Sequence, residues 1–252
     1  MRLRQIALVA ADLDPVVHQF AAVFGLKVAY NDPGVGHYGL KNAVMSAGDG
    51  FLEVVQPIAE GASAGRFLAK RGGDAGYMVI VQTADALAHR ARVEALGVRV
   101  VDKIESRTYT TSHFHPLDTG GMLLSIDQQR TTEDYLDPYG DWMPAGPGWR
   151  ETRTGTVLGL EGITLRNPDP EALAALWSKL LDTAPDPKDP LRLPLERGEI
   201  RFCECDGPMT WISRVDLKVA DQKDVLDRAR ADRLDVDEDG VLIGGVRFRP
   251  VS

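Results

Sequence analysis

The chain has 252 residues, of which 44% are hydrophobic and 26% are charged, a composition typical of a globular protein with room for two domains of about 120 residues each. Its net charge of −8 argues against non-specific binding to nucleic acid or to an anionic membrane surface. No apolar run approaches the roughly 20 residues needed to cross a bilayer, and the apolar stretch 6–11 is too short for a signal peptide. The two cysteines, Cys203 and Cys205, would share one strand face, which is a poor geometry for a disulfide. We therefore expect a cytoplasmic protein.

The first half of the chain contains one pattern twice. Residues 4–26, RQIALVAADLDPVVHQFAAVFGL, predict an apolar strand, an Asp-rich turn and an amphipathic helix. Three strand-like segments follow, LKVAYND, HYGLKNAVMSA and FLEVVQP, separated by Gly, Pro and Asp. The same order recurs from residue 76, where GYMVIVQTADALAHRARVEALG precedes VRVVDKI, SRTYTTSHFHP and GGMLLSIDQ. Repetition at this length predicts a fold built from copies of one unit.

The second half contains two further copies. The third begins at 160–182, with Asp169 and Pro170 placed as N-cap and first helical residue, and the fourth begins at 213–234. Two copies per domain predict domains at 1–128 and 155–252. Residues 129–154 lie between them, are rich in Pro, Gly and charge, and predict a linker. Its Trp142 and Trp149 are expected to pack against a domain, because two exposed indoles would be unusual.

These units resemble the vicinal oxygen chelate superfamily, which includes glyoxalase I, methylmalonyl-CoA epimerase, extradiol dioxygenases, and bleomycin- and fosfomycin-resistance proteins. The stretches IALVAADLDPVVHQFAAVFGL, FLEVVQP and HFHPLDTGGMLLSID carry the resemblance, which covers nearly the whole chain but is weak over 185–252. The chain looks most like uncharacterised glyoxalase-like proteins with two such domains. The resemblance implies an α+β fold of tandem paired βαβββ units, in which each domain is a curled mixed sheet with helices outside. A fold alone does not give the activity.

In this superfamily four inward positions of a domain bind a divalent metal, which holds two substrate oxygens and stabilises developing negative charge. Transferred one at a time, these positions fall on Gln5, Glu53, Met78 and Ser125 in the first domain. A thioether and a neutral hydroxyl are poor ligands for hard cations, so only two competent ligands remain. We therefore predict no cofactor, and a divalent metal would require a rearranged site.

The same positions in the second domain fall on Gly162, Arg201, Arg214 and Arg249. Guanidinium groups cannot bind a cation, although they suit carboxylate or phosphate. Two alternatives follow for this degenerate domain. Either nearby carboxylates neutralise the three arginines, or the arginines bind an anionic ligand.

Glu53 is the most informative residue of the first domain. On a strand its side chain points the same way as Phe51 and Val55, toward an interior, where an unpaired carboxylate is unfavourable. It either lines a polar pocket, where it could act as a base, or pairs with a structural Arg or Lys. Asn42 is the candidate hydrogen-bonding neighbour.

His113 and His115 would share a strand face at a hairpin entrance. Either could act as acid or base because imidazole titrates near neutrality, and we assign His115 to the pocket.

Two classes of function remain open. One is an enzyme of the glyoxalase, epimerase or dioxygenase kind, using a rearranged metal site or Glu53 as a metal-free base. The other is a non-catalytic protein that sequesters or senses a ligand. Both classes predict a small-molecule partner rather than nucleic acid or membrane, and a homodimer is left open. The expected pocket consists of Gln5, Asn42, Glu53, Met78, His115 and Ser125.

Overall fold

A computed structural model describes all residues from Met1 to Ser252. The first half of the chain forms eight strands and three α-helices. The strands are β1 (Arg2–Val9), β2 (Val28–Tyr30), β3 (Leu40–Ala47), β4 (Gly50–Pro57), β5 (Ala75–Gln82), β6 (Val100–Glu105), β7 (Tyr109–Phe114) and β8 (Leu123–Gln129). The helices are α1 (Leu13–Phe24), α2 (Ser63–Arg71) and α3 (Ala86–Ala95). None of the helices in the chain has both the length and the apolar character that crossing a membrane requires.

The second half contains seven strands and two helices. The strands are β9 (Val157–Asn167), β10 (Arg192–Pro194), β11 (Glu199–Glu204), β12 (Trp211–Val219), β13 (Val236–Asp237), β14 (Gly240–Ile243) and β15 (Val246–Val251). The helices are α4 (Pro170–Leu181) and α5 (Gln222–Ala231). Cys203 lies in β11 and Cys205 just after it, and both thiols are free.

Each half forms one curled mixed sheet. The strand order of the first sheet is β2-β3-β4-β1-β5-β8-β7-β6, and that of the second is β10-β11-β9-β12-β15-β14-β13. In all four units the first strand pairs in parallel with the last, and the two first strands of a sheet pair antiparallel at its centre. The predicted α+β fold is therefore confirmed, although the third unit has one strand fewer than the other three.

The Asp near each predicted helix start caps that helix. Asp12, Asp85, Asp169 and Asp221 precede α1, α3, α4 and α5, and each side chain accepts a backbone N–H from the first turn. Such caps satisfy donors that the helix itself leaves unpaired. In each of the four units the helix therefore begins at the residue after its capping Asp.

The two sheets share one apolar core between them. It joins 45 buried residues from both halves, including Ile6 and Leu8 of β1. The sheets approach closely because glycines stand at the contact: a Cβ added at Gly76 would lie 2.5 Å from the Cβ of Ile212. The opposite, concave face of the first sheet therefore points away from this core.

The segment 130–156, called the connector below, covers part of that concave face. It contains two short 3₁₀ helices, Met143–Ala145 and Trp149–Thr152. Trp142 and Trp149 are 1% and 0% exposed, and they pack in a second apolar cluster with Phe51 and Tyr109. The indoles are buried, as the sequence predicts.

Candidate functional site

Glu53 lies at the centre of a hydrogen-bonded amide cluster on the concave face. Its Oε2 accepts from Nε2 of Gln5 at 2.8 Å, and its Oε1 accepts from Nδ2 of Asn42 at 2.6 Å. The Oε1 of Gln5 in turn accepts from Nε1 of Trp142 at 2.7 Å. The predicted residues Gln5, Asn42 and Glu53 are therefore brought together, with no Arg or Lys bound to the carboxylate.

Burial raises the pKa of Glu53, and the hydrogen bonds from Asn42 and Gln5 oppose that rise. The nearby carboxylate of Asp32 adds to it. A carboxylate whose pKa is raised is a stronger base than an ordinary glutamate.

A second buried carboxylate, that of Asp127, lies on the other half of the same face. It accepts hydrogen bonds from Oγ1 of Thr111 at 2.6 Å and from the hydroxyls of Ser125 and Tyr109. Burial raises its pKa, while the neighbouring His113 and the three hydroxyl donors lower it. Asp127 is not among the predicted site residues. Strand alternation could have found it, because it follows Ser125 by two residues and so points the same way.

His113, rather than His115, carries its side chain on this face. It pairs with Ser125 across β7 and β8, and 23% of its side chain is exposed. Burial lowers the pKa of its imidazole, and the carboxylates of Asp127 and Asp102 oppose that shift. The neutral imidazole therefore carries one N–H donor and one free acceptor.

His115 lies in the turn after β7, outside the Glu53 cluster. Its Nδ1 accepts from the backbone N–H of Leu117 at 3.1 Å and lies 3.3 Å from Nη2 of Arg99. Proline at 116 fits this position, because it has no N–H with which the strand ladder could continue. The two histidines consequently do not share a strand face.

The residues at the superfamily's four metal positions do not fit a divalent cation. Met78 and Glu53 both lie opposite Ala7, on either side of it, but a thioether is a poor ligand for hard cations. The hydroxyl of Ser125 donates a hydrogen bond to Asp127. The amide of Gln5 donates through its nitrogen to Glu53 and accepts through its oxygen from Trp142. No group of three or more His, Cys, Asp or Glu residues is arranged to hold a metal ion. We therefore derive no step through a metal.

The three arginines of the second sheet are all paired with carboxylates. Arg249 makes two hydrogen bonds of 2.8 Å to Asp216, and Arg214 forms an ion pair with the same carboxylate at 3.0 Å. Arg201 pairs with Glu199, and Gly162 stands between the two carboxylates in the strand register. The structure therefore shows the first of the two alternatives, in which carboxylates neutralise the three arginines. None of the three guanidinium groups is left unpaired for an anion.

The concave face has a covered end and a reachable end. The connector covers Phe51, which is 0% exposed, whereas Glu53 and Met78 are 8% and 7% exposed. On the outer side of Trp142 a cavity of about 380 Å³ is lined in part by Asp32 and Gln129. Glu53 and Met78 therefore mark the end of the face that keeps slight exposure, and this end is called the reachable end below.

Known proteins share this architecture. The model of a family described as a glyoxalase-like domain matches residues 6–181. An ethylmalonyl-CoA/methylmalonyl-CoA epimerase of Cereibacter sphaeroides is 25% identical over 131 residues, which are 50% of this chain and 97% of the relative. A methylmalonyl-CoA epimerase of Streptomyces coelicolor, in complex with 2-nitronate-propionyl-CoA, is also 25% identical. This match covers 51% of this chain and 97% of the Streptomyces epimerase, with a TM-score of 0.47.

Over nearly its whole length the chain is similar in fold to a Mn(II)-bound glyoxalase from Novosphingobium aromaticivorans. The TM-score is 0.63 at 14% identity, with 99% of this chain and 81% of the glyoxalase covered. The paired units, their strand order and the match over more than half of the sequence lead to one conclusion. The chain belongs to the glyoxalase-like domain family of the vicinal oxygen chelate superfamily.

Proposed function

We propose that the first sheet binds a small organic molecule and transfers a proton at one of its carbon atoms, an isomerase-type reaction in which Glu53 is the base. The observation that carries the proposal is the buried Glu53 carboxylate held only by two amide N–H groups. No Arg or Lys offsets the desolvation of this carboxylate. Without one, its raised pKa suits it to general acid–base catalysis.

We assign the second polar group of the reaction to His113, which pairs with Ser125 on the same concave face. Glu53 takes a proton from the carbon next to a carbonyl group, and the electron pair of that C–H bond moves into the carbonyl oxygen. The N–H of the neutral His113 imidazole donates a hydrogen bond to that oxygen. Inversion of the carbon requires that the bound enolate turn, so that the Glu53 carboxyl group returns the proton to its opposite face and restores the carbonyl; return to the same face gives back the starting molecule.

The comparison with characterised relatives supports this class of reaction. The Cereibacter relative is named as an epimerase, and its similarity lies over 131 residues, about the size of the first sheet with its helices. The two acyl-CoA esters in its name, methylmalonyl-CoA and ethylmalonyl-CoA, are therefore the first probes to use. Both have an acidic C–H next to a carbonyl group.

The test is incorporation of solvent deuterium into these thioesters, followed by NMR. We expect exchange by the unaltered protein and a loss of about 10²-fold or more in Glu53→Gln, the usual contribution of a general base. The matched control is Glu60→Gln, which changes an exposed glutamate and should leave the rate unchanged. Equal exchange rates in both variants, or no exchange by the folded unaltered protein, would contradict the proposal.

A second candidate function is non-catalytic ligand binding. It is favoured by the connector, because the indole N–H of Trp142 already occupies the Gln5 oxygen. A compound that co-purifies in stoichiometric amount, is released on denaturation, and shows no deuterium exchange with the intact protein would support this candidate over the isomerase.

A further inference from the structure

Three buried nitrogen donors gather around Trp149 without a protein acceptor. They are Nε of Arg4, Nε1 of Trp149 itself and Nη1 of Arg153. Arg4 and Trp149 are both 0% exposed. Nearly all buried donors in folded proteins have an acceptor, so a cluster of three without one calls for an explanation.

Two positive charges in the same cluster also lack a carboxylate. The guanidinium of Arg4 donates only to backbone oxygens, those of Asp49 at 2.6 Å and Gly140 at 3.2 Å. The side chain of Arg153 makes no hydrogen bond or ion pair to a protein carboxylate. Arg150 differs, because its Nη2 lies 2.7 Å from a carboxylate oxygen of Asp141.

Arg4 and Arg153 both lie close to the ring of Trp149. The guanidinium carbons of Arg4 and Arg153 each lie 5.9 Å from the ring centroid of Trp149, and that of Arg4 lies 5.0 Å from the ring of Phe51. Cation–π attraction offsets only part of the desolvation of a buried cation. Burial lowers the pKa of Arg4 well below its usual value, and the neighbouring Arg2 adds to this effect.

We propose that Arg4, Trp149 and Arg153 form a site for a small oxyanion, a carboxylate or phosphate group, beneath the connector. Guanidinium and indole N–H groups suit an oxyanion, since each is a donor only and the arginines also carry charge. An anion at this position would satisfy the free donors and neutralise the unpaired cations. The inference does not depend on the isomerase proposal, because neither Glu53 nor His113 takes part.

The experiment titrates the purified full-length chain with sodium phosphate and, separately, with sodium acetate. Ionic strength is held constant with sodium chloride, and both tryptophan emission and the melting temperature are recorded. Because Trp149 is part of the site, we expect a saturable change in emission together with a rise in melting temperature. Saturation with either anion supports the site, and the anion bound more tightly identifies the preferred group.

Two matched variants test the assignment. Arg153→Gln removes a free donor and an unpaired charge, and should weaken binding at least about tenfold. Arg150→Gln removes a guanidinium that also lies against Trp149, at 5.1 Å, but is already paired, so binding should remain within about threefold of the unaltered protein. Equal weakening in the two variants would overturn the proposal. So would a non-saturating response of the unaltered protein, which would mean that water satisfies these donors.

Discussion

Replacing Glu53 by glutamine should change how the stability of the protein depends on pH. Burial raises the pKa of Glu53 in the folded protein, so the native state binds that proton more tightly than the unfolded chain does. The free energy of unfolding therefore falls as pH rises from the pKa of the unfolded chain through that of the folded protein, and it levels off above both. Glutamine does not titrate. The unaltered protein should consequently gain stability relative to Glu53→Gln as the pH is lowered from about 7.5 toward the ordinary glutamate pKa of about 4.3.

The slope, and not the difference at one pH, is the diagnostic quantity. Glutamine offers a single oxygen to the amide donors of Gln5 and Asn42, which is a loss of about 1–3 kcal/mol, while removal of the buried charge acts in the opposite direction. Each unit between the folded and unfolded pKa values contributes about 1.4 kcal/mol, or roughly 3–6 °C in melting temperature for a chain of this size.

The assay is thermal unfolding of the two proteins at a series of pH values, with Glu60→Gln as an exposed control. Other titrating groups, including Asp127, are common to all three proteins and cancel in the differences. The reasoning would be refuted if the unaltered protein gained no stability relative to Glu53→Gln on acidification, or lost stability relative to it. The control should differ from the unaltered protein by the same amount at every pH.

Three further predictions concern packing and can be checked by urea unfolding. Gly48→Ala should destabilise the protein more than Gly61→Ala does, by roughly 1–3 kcal/mol. Both glycines have positive φ, but a Cβ at Gly48 would lie 2.1 Å from the backbone of the second sheet, whereas a Cβ at Gly61 would have no atom within 4 Å. Trp142→Phe should lose about 1–3 kcal/mol, because the Gln5 oxygen loses its buried donor, and a loss below about 0.5 kcal/mol would contradict the assigned hydrogen bond. Asp216→Asn should lose about 1–3 kcal/mol, since two half-exposed arginines lose their shared carboxylate, and unchanged stability would show that their pairing is not needed.

Much of the fold could be predicted because its signals are local. An Asp at each helix start sets the N-terminus of α1, α3, α4 and α5 by hydrogen bonding within the first turn. Strand alternation likewise placed Glu53 on an interior face. The helix α2 lies between two units and was not predicted, and its N-cap, Ala62, makes no side-chain hydrogen bond that the sequence could signal.

The site was harder to predict because it depends on where strands end and on distant contacts. The strand β7 ends at Phe114, between His113 and His115. The side chain of His113 therefore lies on the concave face, whereas that of His115 lies in the turn. Asp127 does not occupy one of the superfamily's metal positions, although it lies two residues after Ser125, which does. Trp142 was expected to be buried, but its partner Gln5 is 137 residues away, and no local pattern indicates such a contact.

The position of the connector divides the concave face into two ends of opposite charge. Arg4, at the covered end, is a cation without a carboxylate, and Glu53, at the reachable end, is a carboxylate without a cation. Pairing them directly would have neutralised both, yet Gln5 and Trp142 stand between: the Trp142 ring lies 5.3 Å from the Arg4 guanidinium, and its N–H binds the amide that holds Glu53. Separation keeps Glu53 free of the cation that would lower its pKa, and it keeps Arg4 free to hold an external anion. The Trp142 indole therefore has two roles. It separates the Glu53 carboxylate from the Arg4 guanidinium, and its packing joins the two ends of the face.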